Sequence, residues 1–136
     1  MNELDRKECL KTSVALQKIS LLGLVVFITI PSVFFLKSSC VLNIYENILL
    51  LANLISGMIL AIMAWHLNFD GALLKNLGNG NFELSDVDQI VFDLFHKNIQ
   101  SKTLNERIIA CYKLIKGFFI LLILHLIIFF GVIVFY

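Results

Sequence analysis

Charge is missing from three long stretches of this 136-residue chain: Ile19 to Leu36, Asn47 to Leu67 and Phe118 to Tyr136 contain no Lys, Arg, Asp or Glu. Overall 15% of residues are charged and 59% are hydrophobic, where a soluble domain carries about 25% and about 45–50%. A water-soluble globule is a poor fit to that balance. Proline occurs once, at Pro31, so little interrupts helix formation elsewhere. The common enzyme motifs are missing too. There is no Gly-rich phosphate loop ending in Lys-Ser or Lys-Thr, no His-Glu-x-x-His, no Cys-x-x-Cys and no Gly-x-Ser-x-Gly. With a net charge of +1, bulk electrostatics point to no nucleic-acid partner. No cofactor is expected, and because His66, His96 and His125 fall at different depths, no shared metal site is expected either.

What remains is hydrophobic length. About 20 apolar residues in a helix, at about 1.5 Å rise each, match a hydrocarbon core of about 30 Å. The three stretches read as transmembrane helices over about 19–36, 47–67 and 118–136, with a helical loop over about 68–117. The expected fold class is all-α, one polytopic membrane domain over residues 1–136. A processed leader is the competing reading of the first stretch, but the run exceeds the usual 7–15-residue apolar core. The basic residues set the orientation. Lys37 alone falls between the first and second spans, and the other ten Lys and Arg precede the first or lie between the second and third. By the positive-inside rule the N-terminus and the long loop are cytoplasmic and the C-terminus is external, in a bacterial inner membrane. Cys9 and Cys111 are then on one side and Cys40 on the other, so no intrachain disulfide is expected.

The loop carries helix punctuation. Gly78-Asn79-Gly80-Asn81 should stop the extension of the second span. Ser85 with Asp88 is a weak capping box, followed by Val87, Ile90, Val91, Leu94 and Phe95 on one stripe. Thr103 with Glu106 is a stronger box, opening a helix with Leu104, Ile108, Cys111 and Ile115 on one face that should run unbroken into the third span. The stripe has two readings. It covers the protein's own core or membrane face, or Val87, Val91, Leu94 and Phe95 dock another subunit.

Polar residues inside the spans are few. Thr29, Asn53, Ser56 and His125 fall in the middle third of the membrane and could meet as an interhelical cluster, each hydrogen bond contributing about 0.6–2 kcal/mol. That is the structural reading of His125; the functional one makes it a proton carrier, for which no acidic neighbour lies at its depth. With no convergent acids or His residues, catalysis is not expected. Three non-enzymatic functions remain, in order: an accessory or interaction protein of a larger membrane assembly, an immunity or inhibitor protein acting on a pore-forming toxin within the membrane, and a self-oligomeric pore or transport subunit. Membrane lipid is a partner in all three.

Overall fold

A computed structural model of the chain describes residues 3–37, 44–95 and 103–134, with side chains throughout except at 27–37, 95 and 133. Four helices follow in order: α1 (Glu3–Lys37), α2 (Ile44–Asn79), α3 (Leu84–Phe95) and α4 (Leu104–Val134). The described residues are all-helical outside their turns. α1, α2 and α4 each have the length and apolar composition to cross a membrane. All three helices extend beyond their charge-free stretches on the basic side, α2 as far as Asn79. α1 starts at Glu3, where Glu3 and Asp5 complement the helix N-terminus and Lys7 pairs with Glu3 at 2.8 Å. α4 passes from its first turn into the apolar stretch without a break, as its continuous periodicity implies.

The local stops and starts follow side-chain chemistry. α2 ends in a Schellman motif: Asn81 N–H donates to Asn76 O at 2.9 Å and Gly80 N–H to Leu77 O at 3.1 Å, with Gly80 at φ 79°. Only glycine takes that φ without strain. At the start of α4, Thr103 N–H donates to Glu106 Oε2 at 2.9 Å and Glu106 N–H to Thr103 Oγ1 at 3.4 Å, the reciprocal box its spacing predicts. The box at α3 is shifted. Glu83, not Ser85, is the capping position, its N–H donating to Asp86 Oδ2 at 2.7 Å. Asp88 is drawn away by an ion pair with Arg107 of α4.

α2 is the central helix and offers a different seam to each neighbour. Toward α1 it presents Ala64, Gly71 and Gly78, all buried and seven residues apart. A Cβ on Gly23 would come within 2.4 Å of Ala64 Cβ, one on Gly71 within 3.2 Å of Leu16 Cβ, and one on Gly78 within 2.9 Å of Leu10 Cγ. Numbering falls along α1 as it rises along α2, so the two are antiparallel. The seven-residue period is that of a left-handed supercoil. Toward α4 the contacts are bulky or polar. Phe118 is fully buried against Gly23, Met63 packs at Gly117, and Leu50 clusters with Val132 farther out.

Candidate functional site

Asn53 and Ser56 lie three residues apart on α2 and so share a face, and His125 projects from antiparallel α4 at the same level. All three are buried, to 1%, 6% and 1% exposure. Ser56 Oγ is 2.8 Å from His125 Nδ1 and 3.0 Å from Asn53 O. The hydroxyl has one proton and the carbonyl can only accept. With Ser56 donating to Asn53 O, His125 Nδ1 carries a proton and donates to Ser56 Oγ, which leaves Nε2 as an acceptor. Asn53 Oδ1 and His125 Nε2 are buried with no hydrogen-bond partner among the described residues. In this arrangement both are acceptors, so the cluster is short of donors. Of the four residues expected to meet, Ser56 and His125 bond across the two helices, Asn53 takes part only through its backbone carbonyl, and Thr29 has its side chain outside the described residues.

The chemistry open to this cluster is limited. A neutral imidazole bonded to a hydroxyl joins α2 to α4 in a setting where the alternative is an unsatisfied polar group. Among the described residues no group of three or more His, Cys, Asp or Glu is placed to hold a metal ion. Cys9 and Cys111 are buried free thiols.

A second polar constellation lies at the basic end. Arg107 of α4 pairs with Asp88 of α3, their side chains 12% and 22% exposed. With Asp70 of α2 and Cys111, Arg107 lines a cavity of about 160 Å³ that Val87 and Val91 also border. Of the stripe considered as a docking face, Val87 is 4% exposed in the protein's own core, Val91 packs partly buried against that core, and Leu94 is exposed. Phe95's side chain is outside the described residues. Val87 and Val91 are therefore occupied internally, because the Asp88–Arg107 pair holds α3 with that edge against α2 and α4.

The sequence suggests close approach of a neighbouring backbone at Ala52, Ser56, Gly57 and Ala61 of the second helix, whereas the structure shows it at Ala64, Gly71 and Gly78, and the Asp88–Arg107 pair is not among the sites singled out from the sequence. The seam has a readable signal in its 64, 71, 78 spacing, whereas the ion pair depends on how α3 is set against α4. Comparison with protein-family models, curated proteins and solved structures finds no match.

Proposed function

We propose that this is a non-catalytic interaction protein of a membrane, an accessory component of a larger assembly, with its N-terminus and the α2–α4 connection in the bacterial cytoplasm. One observation carries the reading: the polar side chains at mid-depth of the apolar stretches of α2 and α4 are turned inward, whereas Asn47, at one end of its stretch, is exposed. Asn53, Ser56 and His125 are buried, while Ile48, Leu51, Ile55, Ile62, Ile120, Ile123 and Ile127 are exposed. Those outward faces suit lipid or a partner's helix, since in lipid every polar group needs an internal partner. At the basic end, Leu94 and Phe92 of α3 are exposed and available to a partner.

Crosslinking in native membranes, mild solubilisation and capture of the full chain test this. A stoichiometric larger partner, lost in Leu94→Asp at unchanged abundance, is the expected result. Recovery of the chain only with copies of itself would favour the pore reading, and a complex formed only with a toxin the immunity reading. Orientation is read by thiol labelling. Cys111 is buried, so a cysteine at exposed Asn105 is the better reporter, expected to resist an impermeant reagent in intact cells.

A further inference from the structure

Between α1 and α2, near their basic ends, lies an open groove of about 350 Å³, within the range of about 300–1,000 Å³ usual for ligand clefts. Its lining changes character along its length. Gln17, Ser20 and Asn68 line one part, and Leu24, Ala61 and Trp65 lie one to two turns along the helices from them. Two independent markers fix where that change falls. The charge-free stretch of α1 begins at Ile19, just after Lys18, and that of α2 ends at Leu67, just before Asn68 and Asp70. Gln17 and Asn68 therefore stand on the headgroup side of the boundary, and Leu24 and Ala61 on the acyl side.

We propose that this groove binds one anionic phospholipid, its acyl chain along Leu24 and Ala61 and its phosphate at the amides of Gln17 and Asn68. The proposal uses the placement of the chain in a membrane and does not depend on any protein partner. Ser20 Oγ–H donates to Gln17 O at 2.8 Å, so its oxygen is left to accept, and the donors available to phosphate are the two amides. Lys18, exposed on the same turn as Gln17 and Ser20, supplies positive charge on the side where ten of the eleven basic residues lie. That polarity matches anionic headgroups, which basic sites between membrane helices recognise. A transmembrane helix seated in the same groove would set apolar side chains against Gln17 and Asn68, leaving both amides without partners.

Trp65, the chain's single tryptophan, lines the groove and reports its occupancy. The full chain is reconstituted in phosphatidylcholine vesicles containing a small fraction of either phosphatidylglycerol or phosphatidylcholine with brominated acyl chains, which quench tryptophan on contact. The glycerol lipid should quench Trp65 several-fold more than the choline lipid. Ala61→Phe, which fills the groove, should remove that preference; Gln17→Leu with Asn68→Leu, which leaves it open, should remove it too. Ile120→Phe, on the exposed face of α4, should keep it. Equal quenching by both lipids in the wild type overturns the proposal. So does a preference that survives Ala61→Phe but is lost in Lys18→Gln, the pattern of surface charge alone, and so does an Ala61→Phe effect that coincides with loss of a chain-to-chain crosslink, the pattern of a helix seam.

Discussion

The two seams of α2 hold by opposite means. Against α1 the helix has almost nothing to offer but backbone, its Ala64, Gly71 and Gly78 letting the neighbour come close. Against α4 it offers a hydroxyl to an imidazole, and its Leu60, Ala64 and Leu67 share a buried apolar cluster with Phe118. In the membrane setting proposed above, the contrast follows from the solvent. Lipid tails are as apolar as leucine, so burial of leucine gains little there, and adhesion comes from dispersion at close range or from hydrogen bonds that lipid cannot replace. The first seam is sensitive to volume and the second to polarity.

The largest effect should come from the one residue that serves both seams. Phe118 is fully buried and touches the space above Gly23 while packing from α4 onto α2. Phe118→Ala should cost about 3 kcal/mol or more, read by unfolding from mild detergent into denaturing detergent. Next come additions to the small-residue seam. Gly23→Ala would set two Cβ atoms 2.4 Å apart and should cost about 1–3 kcal/mol. Ala64→Gly should restore much of that loss in the double variant, because it removes the atom that collides; no such rescue is expected for Phe118→Ala.

The polar seam should respond less to size and more to chemistry. His125→Leu should cost about 0.6–2 kcal/mol by leaving Ser56 Oγ without the donor that His125 Nδ1 supplies. His125→Asn, which keeps a hydrogen-bonding group without a charge near neutral pH, should retain stability and the cellular phenotype at normal protein level. Loss of phenotype with stability intact would move His125 from a structural role to a proton-carrying one. Smallest of all, Leu94→Ser on the exposed edge of α3 should stay within about 0.5 kcal/mol, whereas Val87→Asp, on the buried edge, should release α3 and raise proteolysis between α2 and α4.

Where a feature was legible in the sequence, it was local or set by depth. The Thr103–Glu106 box and the Gly80 stop need only a few neighbouring residues, and both form as their spacing implies. Ser56 and His125 could be matched because both sit near the middle of stretches of known length. The α3 cap was misread by two residues because a carboxylate three positions from a serine fits a box equally well, and the competitor for Asp88 was Arg107, nineteen residues away. The same distance hid the ownership of the Val87 stripe. Periodicity shows that a face is apolar without saying what covers it. The glycine heptad is a different case: it was present in the chain, but which helix would use it depended on the antiparallel pairing of α1 with α2.

That pairing is the central claim, and disulfide trapping in isolated membranes tests it most directly. In a chain whose native cysteines are replaced by serine, Leu16→Cys and Gly71→Cys bring two Cβ positions to about 3.2 Å, a few tenths of an ångström below the usual disulfide range of about 3.5–4.5 Å. Leu16→Cys with Ala72→Cys, whose second position is exposed on another face of α2, is the control. Rapid intrachain crosslinking of the first pair in membranes, with little of the second, is the predicted result. Equal rates for the two pairs, or crosslinks formed only between chains, would contradict it.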